Sequence, residues 1–406
     1  MGRMAPISLE RAREHVFMAG VDDSGARLCE ANVPFGLAKI HVAQEALGLP
    51  PDASFVGSPD CTITRNERRW SQGFGYGGVY QWSGELAVLD IKSNSCGMLV
   101  GALDGLPELA AVRERLHALD REGLELDGVP LDNDLTESNH FVDVLTVNGE
   151  RSSEELPGGA RHCFIMHSSG HELRGATAAG PGLYWDESAE LRAMARVIDT
   201  PWGSLHVLTG DAAQRWYRFY QAVQDFTHRR REALARFLFG DYQVVVNATH
   251  QGLVRAINQA NIGCYHFDDP APGAEPLFPL TLSATLPAFL VRGQKNFTDR
   301  AIAELGWGER LARLGLEQRI AATNVLPHGG GYRFPAVRGV ARVIEEGPDQ
   351  RRFELEPADP AAAPIAVETP RPLAYEYRGL EVKERLEELE LGRVVVALDL
   401  DYVLSA

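Results

Sequence analysis

Short apolar runs alternate with amphipathic stretches along the chain, and no long linker separates two halves. Helical spacing of apolar residues predicts helices at residues 107–119, 188–198 and 212–239, the last with one core-facing stripe. Runs rich in Val, Ile and Leu predict buried strands at residues 86–91, 141–147, 163–167, 205–208 and 242–246. The mixture indicates an α+β protein.

The chain changes character after Gly347. Residues 356–364 are rich in Pro, Ala and acidic residues and predict an irregular surface loop. A charged helix at residues 381–391 and an apolar strand at residues 393–400 follow. Residues 73–78, Gly-Phe-Gly-Tyr-Gly-Gly, lack the Lys-Ser/Thr of a Walker A motif, so we interpret them as a structural turn.

Composition restricts the class of protein. A chain of 406 residues with 45% hydrophobic and 24% charged residues is typical of a soluble globular protein with one large domain or two. The net charge of −16 works against broad binding to phosphate backbones. Five scattered cysteines, no secretory segment and no membrane-spanning stretch predict a cytoplasmic protein with reduced thiols and no membrane partner.

Two basic clusters are the candidates for local contact with nucleic acid. One contains Arg65, Arg68 and Arg69 beside Trp70, and the other is the His-Arg-Arg-Arg run at residues 228–231. The alternative interpretation of each cluster is a solvated charged face with no nucleic-acid contact. The second cluster can also pair with neighbouring acidic residues of the same helix.

Four residues beside apolar runs are candidate metal ligands: Cys96, His140, His167 and His250. A thiolate and three imidazoles would form a mixed nitrogen and sulfur site for zinc, manganese or iron. No local motif such as CxxC or HExxH supports it, and each residue by itself is equally a structural core residue.

His328 precedes three consecutive glycines, Gly329, Gly330 and Gly331. Glycines accept positive φ and leave their N–H groups open, so such a loop can hold phosphate oxygens beside the imidazole. A histidine can also act as a nucleophile that carries a phosphoryl or nucleotidyl group. The alternative is a tight turn with an incidental histidine.

These segments, in this order, resemble the RtcB family of GTP-dependent RNA ligases. The likeness covers residues 34–333, and residues 334–406 diverge. It implies a single large α+β domain over residues 1–406, with β-sheets carrying a central metal site and helices packed outside. The matching segments are Cys96-Gly97-Met98, Ser138-Asn139-His140-Phe141, His167-Ser168, His250 and His328-Gly329-Gly330-Gly331.

The resemblance implies a role for each matching residue. Cys96, His140, His167 and His250 would bind one or two Mn²⁺ ions, and Asn139 would contact the nucleotide. His328 would be guanylylated by GTP beside Gly329, Gly330 and Gly331. Asp143 stands where the family usually has Glu, and Ser283 holds the serine position of a degraded phosphate-binding loop.

Several family residues are replaced. Ser93 occupies the position of the metal-binding aspartate, and Asp90, six residues before the cysteine, is the substitute candidate. Tyr332 and His171 stand where the family has arginines, with Arg333 one place after Tyr332. Arginine binds phosphate in a bidentate manner that tyrosine and histidine do not reproduce. The sequence also ends without the family's lysine.

The resemblance implies an RNA ligase of RNA repair and tRNA splicing. It would join an RNA 3′-phosphate or 2′,3′-cyclic phosphate to a 5′-hydroxyl through a histidine–GMP intermediate. The replaced arginines leave an alternative open, a metalloenzyme with a phosphoesterase or nucleotidyltransferase activity that does not ligate RNA. A catalytically inactive binding subunit would have no physical need for this set of thiol and imidazole groups.

Overall fold

The fold combines mostly antiparallel sheets with helices of very different lengths. The computed structural model describes residues 8–135 and 139–405. The helices in these ranges are α1 (Leu9–Glu14), α2 (Ser24–Ala46), α3 (Glu67–Ser71), α4 (Leu109–Glu122), α5 (Ala189–Met194), α6 (Gly210–Phe239), α7 (Asp299–Glu304), α8 (Gly308–Leu314), α9 (Glu317–Ala321) and α10 (Glu381–Glu388). The α+β class that the sequence pattern predicts is confirmed.

The strands are mostly short and buried. Those in the described ranges are β1 (Val16–Met18), β2 (Ser54–Thr62), β3 (Tyr76–Gln81), β4 (Leu86–Val88), β5 (Gly97–Leu103), β6 (Glu125–Leu126), β7 (Val129–Pro130), β8 (Phe141–Val147), β9 (His162–Ser168), β10 (Arg196–Ile198), β11 (Leu205–Thr209), β12 (Gln243–Thr249), β13 (Gln251–Ala256), β14 (Gln259–Ile262), β15 (Cys264–Phe267), β16 (Leu277–Leu280), β17 (Ala288–Gly293), β18 (Asn324–Pro327), β19 (Tyr332–Arg333), β20 (Val337–Gly347), β21 (Gln350–Pro357), β22 (Ile365–Val367), β23 (Glu376–Tyr377) and β24 (Gly392–Ser405).

One sheet, called the large sheet below, organises the molecule. Among the described residues it has seven strands in the order β12-β5-β9-β8-β24-β17-β16, all antiparallel. A second sheet has the order β1-β2-β3-β14-β13. Its strand β2 is buried along its whole length. Smaller ladders include β15-β18, which ends at the His328 loop, and β19-β23.

The longest helix, α6, covers the large sheet with one apolar stripe. Its buried residues recur at helical spacing, as the sequence predicts. The same stripe continues into Arg230 and Arg231, which are fully buried, whereas Arg229 pairs at the surface with Asp127. For Arg230 and Arg231, both sequence interpretations, a solvated face and a nucleic-acid contact, are therefore wrong.

Several predicted elements need correction at their ends. The helix predicted at 188–198 stops at Met194, and Arg196–Ile198 instead forms strand β10 against β11. The strand predicted at 86–91 becomes a 3₁₀ turn after Val88. The strand predicted at 393–400 extends from Gly392 to Ser405, because it pairs with both β17 and β8 and is central in the large sheet.

The glycine-rich segment at residues 73–78 is structural, as interpreted. Gly73 has φ of +87°, and a Cβ there would lie 2.3 Å from the backbone nitrogen of Gly36 in α2. Its glycines thus let a helix approach the chain closely. No helix within the described ranges is both long and apolar enough to cross a membrane.

The hairpin β20–β21 is fixed to α2 by a charged contact. The Lys39 ammonium in α2 is fully buried and pairs with the carboxylate of Asp349 at the hairpin turn. It also donates a hydrogen bond of 2.8 Å to Gln72. A buried ammonium requires such partners.

Candidate active site

The candidate metal ligands meet at one edge of the large sheet. Cys96 directly precedes β5, His140 directly precedes β8, His167 lies near the end of β9, and His250 directly follows β12. These four strands are adjacent and antiparallel, so their register brings the four side chains within two positions of one another. Residues spread over more than 150 positions therefore form one group, called the thiol–imidazole group below.

Three of the four donor atoms, those of Cys96, His140 and His167, lie close enough together to share an ion. Cys96 Sγ lies 3.0 Å from His167 Nε2 and 3.6 Å from His140 Nε2. His167 Nε2 lies 3.1 Å from His250 Nε2. Ligand atoms around a tetrahedral metal at roughly 2.0–2.3 Å would be separated by about 3.3–3.7 Å. The buried residues Cys96, His140 and His167 can hold a metal ion, and His250 adjoins them through His167.

The outer nitrogens of two rings fix their orientation. His167 Nδ1 lies 2.8 Å from the backbone oxygen of Asn139, and His140 Nδ1 lies 2.9 Å from Asp134 Oδ2. Both oxygens accept hydrogen bonds, so both Nδ1 atoms donate. The Nε2 atoms of both rings then face Cys96, the arrangement that metal-binding histidines require.

Burial sets the protonation of the rings. Burial, followed by the charges of neighbouring imidazoles, lowers the pKa of His167 and of His250 well below its usual value, so both rings are neutral. Burial also acts to lower the pKa of His140, but hydrogen bonds with Asp134 and Cys96 outweigh it and raise this pKa to about 10. A metal ion bound at Nε2 would displace that proton.

His328 lies directly beside the thiol–imidazole group. Its ring centroid is 4.3 Å from that of His250 and 6.4 Å from that of His167. Its Nδ1 donates to Asp60 Oδ2 at 2.8 Å, and the backbone N–H groups of His328 and Gly329 donate to the same oxygen. With Nδ1 engaged by Asp60, Nε2 is the ring atom left to act as a nucleophile.

A cavity of about 380 Å³ opens over these residues. His140, His167 and His328 line it, together with Asn139 and Phe141. The remaining sequence candidates for nucleotide contact, Ser283 and the three glycines after His328, line the same cavity. Ser138, part of the Ser-Asn-His-Phe segment, lies outside the described residues.

The glycine loop has the close packing that its sequence implies. Gly331 has φ of +66°, and a Cβ there would lie 2.3 Å from the backbone oxygen of Asp60. A Cβ on Gly330 would lie 2.6 Å from the backbone oxygen of Arg378. At Gly329 the nearest atom would be 3.1 Å away. The loop is therefore held against β2 and the Arg378 segment, and only glycine fits at two of its positions.

Asp90 is not brought to the thiol–imidazole group, contrary to the sequence expectation. It is fully buried in the 3₁₀ turn after β4. Its Oδ1 accepts from Trp185 Nε1 at 3.1 Å, and its Oδ2 accepts from the backbone nitrogen of His206 at 2.6 Å. Because this carboxylate caps the neighbouring β10–β11 segment, its role in the structure is to satisfy buried donors.

The positions that correspond to family arginines carry no phosphate clamp. Arg333 lies at the surface and pairs with Glu376 and Glu381. His171 is turned to the opposite side of His140, where its Nδ1 lies 4.0 Å from Asp134 Oδ2. The backbone N–H groups of His328 and Gly329 donate to Asp60, so they are not open to a phosphate, contrary to the sequence expectation.

Sequence reasoning missed three components of the site. Asp60 and Asp134 are buried carboxylates that contact His328 and His140. The sequence signal for Asp60 is that it is the one carboxylate in β2, a strand with no other charged residue. The third component is an aromatic cluster, called the tyrosine rim below, of Tyr332, Tyr375 and Tyr377 at the cavity mouth.

Comparison with known proteins adds no relative. The chain matches no protein-family model, and a search of curated proteins finds no match. The resemblance to RNA ligases therefore depends on the quoted sequence segments alone.

Proposed function

We propose that the cavity carries out metal-dependent nucleotidyl transfer, and that its specific form is GTP-dependent ligation of RNA ends. One observation supports this above the others. His328 is anchored through Nδ1 on Asp60, its ring lies 4.3 Å from His250 of the thiol–imidazole group, and it faces a cavity of about 380 Å³. A nucleophile fixed beside a cation site suits attack on a phosphate.

The reaction would proceed in three displacements. His328 Nε2 attacks the α-phosphorus of GTP, and the bond to the β-phosphate oxygen breaks with release of pyrophosphate. An oxygen of the RNA 3′-phosphate then attacks the phosphorus of histidine–GMP and frees the imidazole. The RNA 5′-hydroxyl finally attacks the activated 3′-phosphorus, loses its proton and releases GMP. Asp60 stabilises the positive charge that develops on the ring in the first step.

The thiol–imidazole group would hold the Mn²⁺, one ion or two, that the resemblance implies. A bound divalent ion neutralises charge on the reacting phosphates and aligns attacking and leaving oxygens. The chain's own part is to present Cys96 Sγ and the Nε2 atoms of His140 and His167 together, with His250 Nε2 beside His167. A 2′,3′-cyclic phosphate would be opened by hydrolysis in the same place.

Two features of the cavity mouth suit a nucleotide. The tyrosine rim offers ring faces on which a purine base can stack, and stacking on aromatic side chains contributes about 1–3 kcal/mol per base. The Arg65 guanidinium lies 4.3 Å from the centre of the Tyr375 ring and gives this acidic protein local positive charge at the rim. Asp143, on the cavity wall, offers a carboxyl group for the edge of the base.

A second candidate function is a metal-dependent phosphoesterase without a covalent adduct. The observation that favours it is the loss of both arginine clamps, with Arg333 engaged by Glu376 and Glu381 and His171 turned towards Asp134. Without those guanidinium groups a triphosphate loses bidentate contacts. Water would then replace His328 as the nucleophile on a smaller phosphate ester.

Intact-protein mass spectrometry after incubation with Mn²⁺ and GTP, with ATP in parallel, tests the proposal. We expect a mass increase of one GMP. His328→Ala should abolish the adduct and leave the metal content unchanged, while the matched control His117→Ala, an exposed histidine on α4, should keep the adduct. An AMP adduct would change the nucleotide but keep the mechanism.

Two results would contradict the proposal. An adduct that survives His328→Ala would remove that residue as the nucleophile. The absence of any adduct, in protein shown to contain metal, would favour the phosphoesterase, and hydrolysis of an RNA 2′,3′-cyclic phosphate would then be the assay to follow.

A further inference from the structure

Asp134 is a buried carboxylate that contacts the outer nitrogen of a candidate metal ligand. Its Oδ2 lies 2.9 Å from His140 Nδ1, and its backbone oxygen lies 3.1 Å from the same nitrogen. A carboxylate oxygen and a carbonyl oxygen both accept, so the proton lies on Nδ1. His140 Nε2 therefore faces Cys96 Sγ, 3.6 Å away on the inner side of the ring, where a metal ion would bind.

A second layer of charge holds Asp134 in place. Its Oδ1 lies 3.0 Å from the guanidinium of Arg230, a fully buried residue of α6, and the backbone N–H of Ser169 donates to Oδ2 at 3.3 Å. Arg230 in turn donates to Glu172 Oε1 at 2.6 Å. A continuous buried chain thus runs from Glu172 through Arg230 and Asp134 to His140.

The thiol–imidazole group itself contains a single residue that can become anionic, Cys96, since Asp90 is engaged elsewhere. We propose that Asp134 is a positioning residue. Its carboxylate does not bind the metal ion itself but contacts Nδ1 of His140, the ring nitrogen that faces away from the metal site. It fixes the ring in the Nδ1–H tautomer and makes Nε2 a better donor. This inference rests on the metal site of the proposed function.

Asp134, His140 and His171 also lie close enough together to be considered as a separate metal site. Two observations favour the positioning role instead. The cationic guanidinium of Arg230 is 3.0 Å from the same carboxylate, and His140 Nδ1 needs its proton for the hydrogen bond. A second cation at this point would be repelled by Arg230 and would compete with that proton.

Metal titration of the full chain with Co²⁺ and Mn²⁺ against a competing chelator tests the role. Asp134→Asn should weaken binding on the order of 10–100-fold, as losses behind a ligating histidine do. The number of ions bound at saturation and the thiolate-to-cobalt absorption band should stay unchanged. His171→Asn, the matched control on the other side of the carboxylate, should bind metal like the natural chain.

The outcomes separate this inference from the proposed function. Wild-type affinity in Asp134→Asn would overturn the positioning role. Loss of one bound ion in both Asp134→Asn and His171→Asn, with the cobalt–thiolate band retained, would overturn it in favour of a second metal site. If Cys96→Ala keeps its full metal content, the thiol–imidazole group is not the metal site. That result would contradict the proposed function itself, whatever the effect of Asp134→Asn.

A measurement on the natural chain keeps the inference testable if Asp134→Asn does not fold. Histidine-selective ¹⁵N NMR of the zinc-loaded protein should find His140 protonated at Nδ1 and bound to metal through Nε2. A proton at Nε2, or metal bound at Nδ1, would overturn the role assigned to Asp134.

Discussion

Replacing Asp143 with Asn should make the protein more stable at neutral pH. Asp143 lies in the middle of β8, 8% exposed, on the wall of the cavity. Burial raises the pKa of its carboxyl from 3.8 to about 7. An amide of the same shape never ionises, so Asp143→Asn removes the cost of charging this position.

The pH dependence of this stability difference follows from the difference between the pKa of Asp143 in the folded state and in the unfolded state. Between pH 4 and pH 7 the folded state keeps a proton on Asp143 that the unfolded state has lost. The contribution of this residue to the free energy of unfolding is therefore fully present below pH 4 and is lost as pH rises to about 7. A pKa difference of about three units corresponds to at most about 4 kcal/mol. Water in the cavity screens the charge, so we expect about 2–4 kcal/mol.

Urea unfolding of the chelator-treated protein between pH 4 and pH 8 provides the assay. The difference in the free energy of unfolding between Asp143→Asn and the natural chain should be small at pH 4 and should grow in favour of the variant by pH 8. Asp104→Asn, an exposed aspartate directly after β5, should show no such growth. A difference that is independent of pH would refute the reasoning, because the carboxyl would then ionise as readily folded as unfolded.

Two further predictions concern the glycine loop after His328 and the buried ion pair between α2 and the β20–β21 hairpin. Gly331→Ala should lower the free energy of unfolding by about 1–3 kcal/mol and reduce any adduct formation, because its φ is positive and its Cβ would meet backbone. Gly329→Ala should cost less, because its nearest atom would be 3.1 Å away and its φ is not positive. Equal effects of the two substitutions in thermal unfolding would contradict this. Asp349→Ala should destabilise the protein by up to about 3 kcal/mol because it leaves the buried Lys39 ammonium without its carboxylate partner. Adding Lys39→Met should recover most of that loss in urea unfolding, and a double variant as unstable as the single one would argue against a charge effect.

The local parts of the fold could be predicted where one periodicity dominates. The apolar stripe of α6 was predicted because its burial follows helical spacing, and β8 was predicted because its run is rich in Val and Leu. The segment at residues 188–198 was not, because Arg196–Ile198 becomes a strand only by pairing with β11. Likewise, β24 exceeds its apolar run because two neighbouring strands supply its hydrogen bonds.

The sequence by itself determined which residue types were available for chemistry: one cysteine and several histidines beside apolar runs, and a histidine before three glycines. Only the tertiary structure decided which of them meet. Strand pairing brought Cys96, His140, His167 and His250 to one sheet edge and left Asp90 outside. It also brought Asp60, 268 positions away along the chain, to His328. Side-chain type is a local property, but a site depends on contacts across the fold, and spacing along the chain does not specify which strands lie side by side.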